Sequence, residues 1–129
     1  MSIAKELVDD RLKKRDASGY HFVMADHYGR LAGYACFGQI PCTASSYDLY
    51  WIVVHPDFQE RGLGSRLLNE TERRVKAAGG SRVYVDTSQR MQFASTRAFY
   101  EIRGYRLETV LKDFYAPGDG KVLYCKSFI

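Results

Sequence analysis

Two glycines one residue apart, Gly62 and Gly64, follow the apolar run Ile52-Val53-Val54 and lead into Ser65-Arg66-Leu67-Leu68, so a strand feeds through a loop into the first turn of a helix. Such a turn is a place for an anion. Its backbone N–H groups have no intrahelical partner and carry the positive end of the helix dipole, and glycine lets that backbone close on a phosphate or pyrophosphate. A mononucleotide P-loop also needs a lysine after its last glycine, whereas Gly64 is followed by Ser65-Arg66. A dinucleotide fingerprint is the nearer decoy, because the strand Arg82-Val83-Tyr84-Val85 ends in Asp86, where a ribose-binding acid would sit. It fails because Leu67 stands at the third glycine and because the loop from Val54 to Gly62 is too long for a turn that follows its strand almost directly.

The segment Gln59-Glu60-Arg61-Gly62-Leu63-Gly64 resembles the pyrophosphate loop of the GCN5-related N-acetyltransferases, Gln/Arg-x-x-Gly-x-Gly/Ala, at every fixed position. Upstream, Val54-His55-Pro56 resembles that family's strand end. Downstream, Arg97-Ala98-Phe99-Tyr100-Glu101-Ile102-Arg103-Gly104-Tyr105 resembles its Phe/Leu-Tyr-x-x-x-Gly-Phe/Tyr element, and the likeness covers roughly residues 20 to 129. The resemblance implies an α/β (α+β) fold, a mixed, mostly antiparallel twisted sheet with helices on both faces and splayed central parallel strands. It implies acetyl-CoA as cosubstrate, no metal, and direct transfer of the acetyl group to a small-molecule or peptide amine in a ternary complex. Residues 1–129 form one domain in this reading, short of the family's usual first strand and helix. The sheet edge left by that loss needs cover, from this chain or from a partner subunit such as a second copy.

Carried over residue by residue, the resemblance places the coenzyme on the backbone of Ile52, Val53 and Val54 and on the loop Gln59, Glu60, Arg61, Gly62, Leu63, Gly64 and Ser65. On the second helix it places the coenzyme near Phe93, Thr96 and Phe99, where Phe93 stands in place of the family's asparagine and Thr96 in place of its alanine. Tyr100 matches the tyrosine that protonates the leaving thiolate, and a phenol near pKa ~10 keeps its proton at neutral pH. The alternative for Phe99 and Tyr100 is plain helix core. An acceptor amine with pKa ~10.4 is neutral only on the order of one part in a thousand at pH 7, so a base is required. Asp48 occupies the position of the family's fourth-strand glutamate and is one methylene shorter, which favours action through water. Tyr50, two residues on, would share its strand face and help hold that water. The bland reading of Asp48 is a solvated residue at a strand start.

The elements that must position these groups follow from periodicity and turn chemistry. Ile3, Leu7, Val8 and Leu12 suggest a short amphipathic helix ending near Asp16 to Gly19. Tyr20 to Ala25 and Arg30 to Gly38 read as a hairpin around Asp26-His27-Tyr28-Gly29. Then come a strand Tyr47 to Val54, a helix Leu63 to Ala78 with Leu63, Leu67, Leu68, Thr71, Val75 and Ala78 on one face, a strand Arg82 to Asp86, and a helix from about Ala94 to Arg103 stopped by Gly104. Two last strands, around Arg106 to Leu111 and Val122 to Phe128, flank the turn Ala116-Pro117-Gly118-Asp119-Gly120. Loops around Cys42 to Tyr47 and Phe114 to Lys121 are expected to build the acceptor pocket, with Tyr47, Tyr50, Phe114 and Tyr115 giving it a partly apolar mouth.

Composition excludes several classes. The 129 residues, 46% hydrophobic, suit one globular domain. Three cysteines without metal-type spacing, and an N-terminus without a signal-like apolar core, fit a reducing cytoplasm. No apolar run reaches the roughly twenty residues that span a bilayer. A net charge of +4 suits an anionic ligand but is too mild to indicate nucleic acid. The basic cluster Arg11-Lys13-Lys14-Arg15 reads as a solvated helix face, and His55 marks a strand end with no partner spaced for a triad or metal site. The runner-up function is a non-catalytic module that binds coenzyme A or an acyl-CoA.

Overall fold

The structure is a computed structural model that describes residues 2–3, 19–59 and 61–129. Among these residues seven strands form one mixed sheet: β1 (Ser2–Ile3), β2 (His21–His27), β3 (Arg30–Gln39), β4 (Ser46–Val54), β5 (Arg82–Ser88), β6 (Arg106–Ala116) and β7 (Asp119–Ser127), in the order β1-β2-β3-β4-β5-β7-β6. Every pairing is antiparallel except β4 with β5. Two helices, α1 (Leu63–Ala77) and α2 (Ala94–Ile102), share one continuous core with β2 to β5 and β7. The crossover β4–α1–β5 is what allows the central pair to run parallel.

Two expectations are corrected at the N-terminus. The sequence suggests that the first strand is missing and that Ile3 opens a helix, but Ser2–Ile3 pairs with Asp26 and Ala25 at the edge of β2. The rest of the expected helix, with Leu7, Val8 and Leu12, lies outside the described residues. The first hairpin closes more tightly than its turn residues suggest. Tyr28 and Gly29 both take positive φ (50 and 83°), a two-residue turn whose twist suits a hairpin, and Asp26 accepts a hydrogen bond from the Gly29 N–H at 3.1 Å.

The last two strands also run further than expected. Lys112 to Ala116 and Asp119 to Lys121, expected as loop, continue the β6–β7 hairpin up to the pair Ala116–Asp119. The irregularity is absorbed at Asp113, which adopts φ 56° and accepts from the Gly118 N–H at 2.8 Å, so the hairpin stays closed around a bulge.

α1 turns Leu63, Leu67, Leu68, Thr71 and Val75 into the core, as their spacing predicts, while Ala78 falls beyond the last turn and is exposed. Both helices end the same way. Gly79 and Gly104 take left-handed conformations (φ 88 and 92°), and the next residue reaches back to the helix: Gly80 N to Val75 O at 2.8 Å, and Tyr105 N to Tyr100 O at 3.0 Å. This is the Schellman arrangement, with its usual contact across the cap made in α2 by the rings of Tyr100 and Tyr105, 5.5 Å apart.

Candidate active site

β4 and β5 pair over only three residues, Ser46 with Arg82, Tyr47 with Val83 and Asp48 with Tyr84, and then part. Two features drive the separation. Tyr50 is an extra residue in β4, because Trp51 pairs with Cys36 and Leu49 with its neighbour Phe37 on β3. That bulge bends the strand and reverses its alternation: Tyr47 and Leu49 are buried before it, whereas Ile52 and Val54 face the core after it. Beyond Asp48, alternate peptide groups of β4 face the gap with no partner strand.

Two cavities meet in this gap. One, of about 550 Å³, runs from the glycine loop into the sheet and is lined by Gln59, Gly62, Leu63, Gly64 and Ser65, by Ile52 and Val54, and by Thr96, Phe99 and Tyr100 of α2. The other, of about 650 Å³, opens beside it over Asp86, Ser88, Arg90, Phe93, Tyr115 and Asp119. Ile52, Thr96 and Tyr100 line both.

The loop reaches its place through local hydrogen bonding. Pro56–Phe58 form a single 3-10 turn capped by His55, whose Nδ1 accepts from the Asp57 N–H at 3.1 Å, so His55 holds a strand end as its position suggests. Gly62 precedes α1 with φ 73°, a conformation natural for glycine, and the first-turn N–H groups of α1 open onto the cavity wall. Gly64 has a second reason to be glycine: a Cβ there would lie 3.3 Å from the Phe99 ring. Arg61 lies 5.3 Å from the Phe58 ring centroid, a cation beside the loop.

Tyr100 is set by the cap that ends its helix. It is 5% exposed, packed edge-on against Phe99 and Tyr105, and burial, with the Asp86 charge second, pushes its phenol up to about 12. The structure thus brings together Tyr100, Phe99, Thr96, the glycine loop, Ile52 and Val54. Phe93 lines the second cavity alone, Val53 lines neither, and Glu60 lies outside the described residues.

Asp48 sits at the last paired position below the split and lines neither cavity. Its carboxyl is raised by burial and then by Asp86, against a lowering by Lys121, and its charge in turn helps raise Tyr50. The simple alternation that puts Tyr50 on the face of Asp48 is interrupted at Tyr50 itself, although the two remain neighbours.

Two carboxylates do reach the second cavity, Asp119 and Asp86, and the latter is one that sequence reading treats only as a decoy for a ribose acid. One oxygen accepts from the Tyr115 hydroxyl at 3.0 Å and the other lies 3.6 Å from Lys121 Nζ. Arg103 is a second residue missed. It donates to Ser65 Oγ through Nε at 2.8 Å and to the Phe99 carbonyl at 2.9 Å, and lies 3.8 Å over the Phe99 ring, a fixed cation on the wall of the first cavity. Its spacing from Phe99 in the helix, read with the Ser65 loop, was the available signal. Among the described residues no group of three or more His, Cys, Asp or Glu is placed to hold a metal ion, and no helix is long and apolar enough to cross a membrane.

Comparison with known proteins agrees with this geometry. The model of the acetyltransferase (GNAT) family matches residues 3–105. A GNAT-family protein from Desulfovibrio desulfuricans, solved as a crystal structure, superposes with a TM-score of 0.88 and 47% identity over 96% of this chain and 78% of its own. A GNAT family acetyltransferase from Elizabethkingia anophelis with acetyl-CoA bound shares the fold (TM-score 0.75, 16% identity, 99% of this chain and 92% of its own). The [ribosomal protein bS18]-alanine N-acetyltransferase of Escherichia coli is 28% identical over 87 residues, which are 67% of this chain. The chain spans 57% of the length of that curated relative. The chain belongs to the GNAT acetyltransferase family.

Proposed function

We propose that this GNAT-family chain is an acetyl-CoA-dependent N-acetyltransferase that moves the acetyl group directly to an amine. The observation that carries the reading is the meeting of two cavities at Tyr100 inside the split between β4 and β5, one walled by the glycine loop and the other by carboxylates and aromatic rings. Bound acetyl-CoA supplies an activated acetyl thioester. The residues fit it: the N–H groups of Leu63, Gly64 and Ser65 offer an anion seat for its pyrophosphate, with Arg103 fixed beside Ser65. The unpaired peptide groups of β4 run along the first cavity, where they can hold a pantetheine amide and polarise a carbonyl.

Asp86 is the group we assign to the acceptor's ammonium, binding it and taking its proton; Asp48, raised in part by the Asp86 charge, stands behind it as a second carboxylate reached through water. The neutral amine then attacks the thioester carbonyl from the side of the second cavity: the C–N bond forms, the C–S bond breaks, the sulfur leaves as a thiolate, and the nitrogen sheds its second proton to solvent. Tyr100 retains its proton at every physiological pH and donates a hydrogen bond to the departing sulfur. No covalent acetyl-enzyme is needed, since both reactants meet in one gap.

Melting temperature with acetyl-CoA, coenzyme A, NAD and ATP tests the first half, because a ligand of the native state stabilises it as the logarithm of its saturation. Stabilisation confined to the two coenzyme A compounds is expected, followed by thiol release on adding amines. Stabilisation without release for any amine would leave a coenzyme-binding module and overturn the enzyme.

A further inference from the structure

Resting on that acetyl-transfer reading, we propose that the acceptor is an α-amino acid with a large apolar side chain, and that Arg90 selects it by binding its carboxylate. Arg90 leaves the end of β5 at the wall of the second cavity with a side chain 54% exposed. It is held from one edge only. Its Nε lies 3.3 Å from Asp119 Oδ2, and Asp119, whose side chain is 10% exposed, takes the Ser88 hydroxyl on its other oxygen at 2.5 Å. The same Ser88 hydroxyl accepts the Arg90 N–H at 3.1 Å, and Arg97 donates to the carbonyls of Ser88 (2.7 Å) and Arg90 (2.9 Å), so the backbone beneath the guanidinium is pinned from both sides.

Among the described residues the terminal nitrogens of Arg90 make no further hydrogen bond, which leaves a planar donor edge for a ligand. A carboxylate matches that edge with two parallel bonds. Asp86, which accepts from Tyr115 and has Lys121 Nζ at 3.6 Å, lines the same cavity and takes the ammonium, so beside the Asp119 that holds Arg90 Nε the site offers a carboxylate and a free guanidinium edge to a molecule that carries the opposite pair. A phosphate dianion fits less well, with Asp86 and Asp119 both lining the space, and a polycation meets the guanidinium. The same cavity is lined by Trp51, Phe93 and Tyr115, of which Trp51 and Tyr115 are 44 and 47% exposed, and they offer rings to an apolar side chain.

The test is steady-state thiol release with matched pairs, L-phenylalanine, L-methionine and L-leucine against their carboxamides, for the wild type, Arg90→Gln and Arg90→Lys. The wild type is expected to favour the acids by about 10- to 100-fold in kcat/KM, chiefly through KM, the scale of a hydrogen-bonded charge pair. In Arg90→Gln the ratio of acid to amide should fall to near one, and Arg90→Lys, which keeps the charge and loses the fork, should recover part of it. Equal use of acids and amides by the wild type overturns the proposal, as does a loss in Arg90→Gln that is the same for both, since a merely structural Arg90 would act on both alike. Turnover of amides, peptides or polyamines without the acids removes this proposal and leaves acetyl transfer standing. Turnover of no amine, with coenzyme binding intact, removes both.

Discussion

Replacing Tyr100 by Phe separates catalysis from folding, and the structure fixes the size of each effect. Among the described residues the Tyr100 hydroxyl has no hydrogen-bond partner, and the ring is 5% exposed. Removing the oxygen therefore breaks no internal bond, and because the residue lines both cavities and its hydroxyl is not a sealed polar group, stability should hold to within about 1 kcal/mol, which is about 3–5 °C in Tm for a domain of this size. Catalysis should fall. Burial holds the Tyr100 proton more tightly than a free phenol holds its own, so the contribution assigned to it is a hydrogen bond to developing charge on the sulfur. Such a bond is worth about 1.5–3 kcal/mol, or a fall in kcat of about 10- to 150-fold, with coenzyme affinity kept. Thiol-release kinetics, titration calorimetry and scanning calorimetry measure the three quantities. Because a group at about 12 does not titrate below pH 10, the variant should also keep the wild-type pH profile up to that point. An unchanged kcat would refute the assignment of Tyr100 as donor. A Tm lower by several degrees would refute the premise that its hydroxyl is unpartnered in the free protein.

Three further outcomes test neighbouring parts of the site. Asp86→Asn should lower kcat/KM at pH 7 and then gain about tenfold per pH unit up to the pKa of the acceptor, because the variant depends on amine deprotonated by solvent; a profile parallel to that of the wild type would show that Asp86 is not the base. Gly64→Val should weaken coenzyme A binding by about 10-fold or more, since even a Cβ meets the Phe99 ring at 3.3 Å, with Gly64→Ala much milder; calorimetric titration of all three proteins decides this. Asp48→Asn should raise Tm at pH 7 and not below about pH 4, because a carboxyl whose folded pKa is raised costs stability only where it is charged; its partial exposure keeps the gain under about 1 kcal/mol, and melts showing the same difference at both pH values would refute it.

The parts legible in the sequence are those whose physics is local. Gly62 and Gly64 announce a turn that opens a helix, Gly79 and Gly104 announce caps, and Leu63, Leu67, Leu68 and Val75 announce one buried helix face, because each depends on neighbours within a few residues. Tyr50 as a bulge was hidden, since Leu49-Tyr50-Trp51 are all good strand formers and an extra residue shows only against the partner strand. Lys112 to Tyr115 looked like loop because charge and turn residues cluster there, yet one left-handed Asp113 lets the hairpin continue. Asp86 and Arg90 stayed unread for a third reason. What they face is decided by how far β5 stands from β4, a distance set by the whole crossover rather than by any segment.

The split between β4 and β5 makes the sheet behave as two leaves of a caliper. Three ladder pairs at Ser46 to Asp48 form its pivot, and α1, through Leu67, Leu68 and Val75, backs the leaf made of β2, β3 and β4. The width at Tyr100 thus depends in part on packing made well away from it, because a close-packed interior transmits a change under α1 to the β4 side of the gap. Substitutions that a stability assay scores as mild can therefore shut or spring the gap. A conservative core change in α1 is expected to alter the geometry of the gap while every side chain that lines it keeps its identity.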